Sequence, residues 1–308
     1  MWSRFTAKVG DGWMAVARCG ARLDVAHVIR VAEGRPEIRG LDSFRIEGDV
    51  TDSLSRLAQS KRLQRTQCVT LLGENDYRIV QLDAPAVPPE ERIQALRWRL
   101  KDVVDFPLET AALSVAEIPV EGGRQAAVFA VVAPSTAIAE QMSRFRSAKI
   151  NLQAIDIPEM AVRNVAVLFE EANRGLAFLL LSDDDSLLTI TYRGELYLSR
   201  RIEMTAEALA PEDAERRQSM RERLALELQR TLDNFDRQHG FISISRLLVA
   251  TVKDSAGLTA ALAENLYLPV QAMDLANVAD FQALPELRQA ERQAQGLLAI
   301  GAALRGAP

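Results

Sequence analysis

Two stretches of alternating apolar residues, separated by about 170 positions, constrain this chain more than any other feature. The first comprises residues 5–9 (FTAKV), 13–19 (WMAVARC) and 23–31 (LDVAHVIRV), broken by Gly10-Asp11-Gly12 and Gly20-Ala21-Arg22. The second comprises residues 175–181 (GLAFLLL), 186–192 (SLLTITY) and 195–203 (ELYLSRRIE), broken by Ser182-Asp183-Asp184-Asp185 and by Arg193-Gly194. Period-two patterning between glycine and aspartate turns reads as a three-stranded β-meander. Arg193-Gly194 is a tight hairpin turn on this reading. The same arrangement twice in one chain points to an internal duplication, although the residues themselves are dissimilar.

Each meander is followed by helical periodicity. Met220, Leu224, Leu228, Thr231 and Phe235 recur at steps of three or four and predict a long amphipathic helix ending near Gly240. A strand over 243–250, a helix over 255–265 and a short strand over 267–273 follow, so the class is α/β with parallel pairing. Between about 85 and 150 the first half carries extra material. Pro88-Pro89-Glu90-Glu91 starts a helix whose apolar residues are Ile93, Leu96, Leu100, Val103 and Val104. Strands at 110–120 and 124–133 and a helix from Ser135 complete a small α+β subdomain. A helix over 158–173 links the halves, and a helix over 288–305 ends the chain.

The 308 residues exceed a single ordinary core, and 48% hydrophobic with 26% charged residues is a globular balance. A net charge of −5 argues against a general nucleic-acid binder. No run reaches the roughly 20 apolar residues that span a bilayer. The N-terminus has neither the apolar core nor the cleavage site of a signal peptide, so a cytoplasmic protein is expected. Cys19, Cys68, His27 and His239 are scattered and offer no metal spacing. They read as packing or surface residues, and no metal is expected.

Several segments go further. Residues 77–111, 155–166, 196–203, 224–236 and 297–305 resemble the MshI branch of the PilM family, in order and across nearly the whole chain. The resemblance implies an actin-like (duplicated ribonuclease H-like) two-lobed α/β fold. Its first lobe would span 1–170, with the inserted subdomain at about 85–150, and its second 171–308, the C-terminal helix returning to the first. It also implies a cytoplasmic scaffold of the mannose-sensitive haemagglutinin (MSHA) or type IV pilus assembly platform. Such a scaffold holds the N-terminal cytoplasmic tail of a bitopic inner-membrane protein, PilN-like or MshJ-like, and is peripheral to the membrane through that partner. In the family the tail lies between the first lobe's core and the inserted subdomain. A pilus motor ATPase is a second expected partner; nucleic acid and direct membrane insertion are not expected.

The resemblance also implies three nucleotide loops: two Gly/Ser/Thr-rich hairpins with a strand-end Asp, and a glycine-rich loop for base and ribose. The first is read at Gly10, Asp11 and Gly12, where Lys8-Val9 stands in place of the Asp and Trp13 in place of a small residue. The second is read at Asp183, Asp184 and Asp185, whose carboxylates repel a triphosphate. The third is read at Ala250-Thr251-Val252, where branched side chains fill the glycine space and Asp254 or Ser255 caps the next helix. A vestigial site and no enzymatic activity are therefore expected, with neither ATP nor Mg as cofactor. The alternative is an ATP-binding actin-like ATPase whose nucleotide state gates the tail.

Arg97, Trp98 and Lys101, on the subdomain helix, are the candidates for gripping a peptide tail. Arg200-Arg201 with Arg216, Arg217, Arg221 and Arg223 read as helix-face pairing with interleaved glutamates. Asp156 and Glu159 flank a strand-to-helix junction, where Pro158 and helix-dipole complementation account for them. A membrane-surface role through the terminal helix is a third reading; Glu286 and Glu291 dilute Arg288, Arg292 and Arg305 there.

Overall fold

The computed structural model describes residues 12–32, 34–61, 63–119, 126–184 and 186–306. The expected strand over 5–9, Gly10, Asp11 and Asp185 lie outside the described residues. The chain begins with β1 (Trp13–Cys19), β2 (Arg22–Ile29), β3 (Glu37–Arg45), α1 (Val50–Lys61) and β4 (Cys68–Leu71). β5 (Arg78–Asp83), α2 (Pro89–Leu100), β6 (Ala112–Ile118), β7 (Ala127–Ala133), α3 (Ser135–Ser147) and β8 (Leu152–Asp156) follow. α4 (Pro158–Ala166) leads to β9 (Gly175–Leu181), β10 (Ser186–Tyr192), β11 (Glu195–Ile202) and α5 (Ala214–Gln238). β12 (Ile244–Thr251), α6 (Ser255–Asn265), β13 (Val270–Ala272) and α7 (Ala290–Ala303) complete it. These elements pack as two compact units, one of Met1–Ile46, Arg65–Leu71 and Asp156–Pro308, the other of Glu47–Gln64 and Leu72–Ile155.

The first unit holds both meanders. β1, β2 and β3 pair antiparallel, and β4 adds parallel to β1, giving the order β3-β2-β1-β4. The second sheet repeats it as β11-β10-β9-β12, with β13 parallel to β12. The duplication is real at the level of topology. Its first copy occupies 13–45, whereas the alternation in sequence places it at 5–31. The cause is β3, whose buried residues Ile38 and Leu41 are three apart because the β2–β3 register shifts at His27/Val28. A bulge of this kind breaks the two-residue period that marks a strand in sequence.

β9 and β10 are buried at every position, the mark of strands covered on both faces. Arg193 and Gly194 join β10 to β11 with positive φ at both turn residues, the sign pattern of a type I′ turn. α4 packs on β9, β10 and β11. It sets Glu159, fully buried, against Arg201 at 3.3 Å, a partner that helix-dipole reasoning does not anticipate. α5 buries Leu224, Leu228, Thr231 and Phe235 as the periodicity predicts. At its end His239 stacks with Phe235 (4.7 Å between ring centroids) and meets Tyr197 edge-on, so this histidine is a packing residue.

α7 packs against α4, β1, β2 and β12. Its close approaches use glycine: a Cβ on Gly301 would lie 2.1 Å from the Ala161 carbonyl oxygen of α4. Gln293, nearly inaccessible, accepts from Leu275 N at 2.8 Å and donates to Asp274 and the Leu287 carbonyl. The terminal helix is thus built into the core, which removes the apolar face a membrane-surface reading requires. Among the described residues no helix is long and apolar enough to cross a membrane.

The second unit contains the three-stranded sheet β5-β7-β6. Leu100, Leu108, Ala111, Ala130 and Val132 form its core, with Phe106 packed against them. Pro89 opens α2 as expected, but the helix stops at Leu100, and Val103 is half exposed instead of continuing the stripe. α1 and α3 pack together in this unit.

Candidate functional site

The hairpins joining β1 to β2 and β9 to β10 occupy equivalent places in the two sheets, and their tips meet. The first tip is the two-residue turn Gly20-Ala21. Gly20 has a positive φ, and a Cβ placed on it would lie 2.9 Å from both carboxylate oxygens of Asp184 on the second tip. These tips border a cleft of about 370 Å³ in the first unit. One wall is apolar, with Leu180, Val252 and, from α7, Ala294 and Leu298. The rim is polar and carries Arg22, Arg45, Asp183 and Asp184.

Arg22 is already committed. Its Nε donates to both oxygens of the inaccessible Asp24 at 3.0 Å. Ser43 of β3 also donates to Asp24, and Arg292 of α7 donates to Ser43 at 2.8 Å and to the Leu41 carbonyl. Burial alone would lower the Arg22 guanidinium, but the charge and hydrogen bond of Asp24 lead the contributions that outweigh it and leave its pKa raised. Beside it the part-buried Cys19 thiol is pushed up to about 12, by burial first and Asp24 second, so it stays protonated and unreactive. Cys68 on β4 reaches about 12 by burial, opposed weakly by a hydrogen bond with Val69.

The first expected loop therefore needs correction. Gly12 precedes β1, against the Val28 carbonyl, and does not line the cleft. The hairpin in the equivalent place is Cys19-Gly20-Ala21-Arg22, and its strand ends Ala17-Arg18-Cys19, again without an Asp. The sequence shows the turn at Gly20-Ala21-Arg22 but not its place at the cleft; two sheets of one topology supply that. Asp183 and Asp184 are exposed at the cleft. Thr251 is buried at the end of β12, and its hydroxyl donates to the Lys253 carbonyl at 3.0 Å. Asp254, itself at positive φ, caps α6 through Gly257 N and binds Arg221 of α5. Among the described residues no group of three or more His, Cys, Asp or Glu is arranged to hold a metal ion.

Arg97, Trp98 and Lys101 lie on or just after α2 in the second unit. Arg97 donates to the carbonyls of Leu108 and Ala111, so it fastens the following loop to the helix. Trp98 is 72% exposed, with Lys101 Nζ 6.0 Å from its ring centroid.

Over 95% of this chain and 98% of the other, the structure matches a solved chain of a PilM–PilN type IV pilus biogenesis complex, with a TM-score of 0.73 and 20% identity. A Bacteroides thetaiotaomicron protein with an actin-like ATPase fold and unknown function matches over 94% of this chain and 100% of its own, with a TM-score of 0.52 and 10% identity. The fold is actin-like. No protein-family model and no curated protein sequence matches the chain. The actin-like assignment accounts for the paired sheets and for the facing hairpins, which flank the cleft in both halves.

Proposed function

We propose that this actin-like chain is a PilM-like scaffold of a type IV pilus assembly platform, of the MSHA kind served by the MshI branch. It holds the N-terminal cytoplasmic tail of a single-pass PilN-like or MshJ-like inner-membrane protein and hydrolyses no nucleotide. The chain itself works in the cytoplasm and reaches the membrane through that partner.

The observation that carries this reading is the match, nearly end to end, with a chain of a PilM–PilN complex. The cleft chemistry favours a body without ATPase activity. Asp183 and Asp184 stand at the rim, Arg22 is engaged by Asp24, and Gly20-Ala21 is too short a turn to wrap a phosphate. Two like charges about 4 Å apart near a protein surface repel by about 4 kcal/mol, so a triphosphate entering beside these carboxylates is strongly opposed. Trp98, exposed on a helix anchored by Arg97, is the residue we assign to gripping the tail, with Lys101 beside it. A pilus motor ATPase is the second partner of the scaffold.

The test is a fluorescence-anisotropy titration of the full chain against labelled N-terminal peptides from single-pass inner-membrane proteins encoded nearby. Saturable binding of one peptide, weakened at least fivefold by Trp98→Ala, is the expected result. Failure of every peptide together with tight binding of Mg-ATP would instead support the ATP-binding alternative.

A further inference from the structure

In the second unit α3 ends in a Schellman motif, with Lys149 N donating to the Arg146 carbonyl at 3.0 Å and Ile150 N to the Phe145 carbonyl at 2.9 Å. Such a turn needs one residue of left-handed backbone, usually glycine; here it is Lys149, with φ 56°. Phe145 and Ile150 close the motif from the buried side, and Lys149 is exposed. Met142 and Arg146, four residues apart on α3, share a helix face, and both are exposed, Met142 by 45%. Arg144 is committed to Glu140, whereas Arg146 and Lys149 enter no ion pair among the described residues. Residues 141–155 contain no acid. α1 lies against α3, Asn151 N donates to the Leu63 carbonyl at 3.3 Å, and residues 53–64 contain no acid either. In a chain of net charge −5, uncommitted cations therefore gather here beside an exposed apolar side chain.

We propose that this face of α3, Met142 with Arg146 and Lys149, is a membrane-contact surface that adsorbs to anionic lipid headgroups. The two cations are drawn to an anionic leaflet, and the thioether adds apolar contact at the headgroup boundary. The contact is adsorption, with no segment inserted. The choice of lipid as the occupant rests on the scaffold reading above, which tethers the chain beside the inner leaflet. A tether raises the local concentration of headgroups, so a contact of two cations is enough to orient the tethered body.

Vesicle flotation of the full chain at low ionic strength tests this, with vesicles of phosphatidylcholine alone and of phosphatidylcholine and phosphatidylglycerol in equal parts. The variants are Arg146→Gln/Lys149→Gly and a control pair, Arg223→Gln/Arg230→Gln, which removes the same charge at exposed positions on α5. Glycine at 149 relieves the left-handed backbone as it removes the charge, so a loss of binding is not a loss of the cap. Wild type and control should float with the anionic vesicles alone, and the α3 variant should partition at least tenfold less. The proposal is overturned if wild type stays at the neutral-vesicle level, if the α3 variant, folded by circular dichroism, floats like wild type, or if the control loses as much. It is also overturned if the variant loses binding to polyglutamate and not to vesicles, which would make the occupant an acidic protein segment. Tail-peptide binding by the same proteins separates the two ideas. Failed flotation with intact peptide binding leaves the scaffold reading standing, and flotation without binding of any peptide removes that reading alone.

Discussion

At the scale of single residues, Gly20 carries two demands at once. Its left-handed backbone would cost any residue with a Cβ about 1 kcal/mol or more, and Asp184 fills the space that Cβ would take. Gly20→Ala should therefore lower stability by at least about 1 kcal/mol in urea unfolding. In an Asp184→Gly background the cost should fall toward the backbone part alone. The thiols give a second residue-scale expectation. The folded pKa of Cys68 is raised from 9.0 to about 12, so the native state holds its proton while the unfolded chain releases it. The stabilising contribution is full below pH 9 and is lost as pH rises from 9 toward 12, by up to about 1.4 kcal/mol per pH unit. Denaturation midpoints across pH 8–11 should fall less steeply in Cys68→Ala than in wild type. Sequence alone places neither effect, because Gly20 reads as an ordinary turn and Cys68 as one apolar residue among many.

At the scale of elements, the terminal helix depends on close backbone approach. Gly301→Ala in α7 would press a methyl group into the Ala161 carbonyl of α4, a backbone atom that cannot swing aside. Overpacking of this kind should cost about 3 kcal/mol, the upper end of its usual range, measured as a shift of the guanidinium midpoint. β2 depends on the pair of Arg22 with the inaccessible Asp24; Arg22→Met should cost about 3 kcal/mol, the low end for breaking a buried pair, because the Arg22 side chain is 27% exposed. Element legibility follows periodicity. β9 and β10 are readable as apolar runs bounded by turn residues, and the apolar face of α5 because one regular repeat runs through it. β3 is not, since its bulge interrupts the alternation, and α2 reads too long because Val103 and Val104 continue an apolar stripe that the chain abandons after Leu100.

For the whole molecule, the duplicated meander is the legible part, and the actin-like fold contains it twice. The candidate cleft is half legible. Asp183 and Asp184 advertise themselves as consecutive acids, but their counterpart at Gly20 is identified only by the equivalence of two sheets whose residues differ. Arg45, Ser43 and the α7 residues reach the cleft from distant parts of the sequence and leave no local pattern.

If this body binds a protein tail and not a nucleotide, as we propose, ligand-dependent stability reports it. Anything that binds the folded state at a hundred times its Kd adds about 2.7 kcal/mol to unfolding. Chemical denaturation of the full chain should show that gain with the cognate tail peptide and none with millimolar Mg-ATP. A gain of that size with Mg-ATP, and none with any tail peptide, would contradict it.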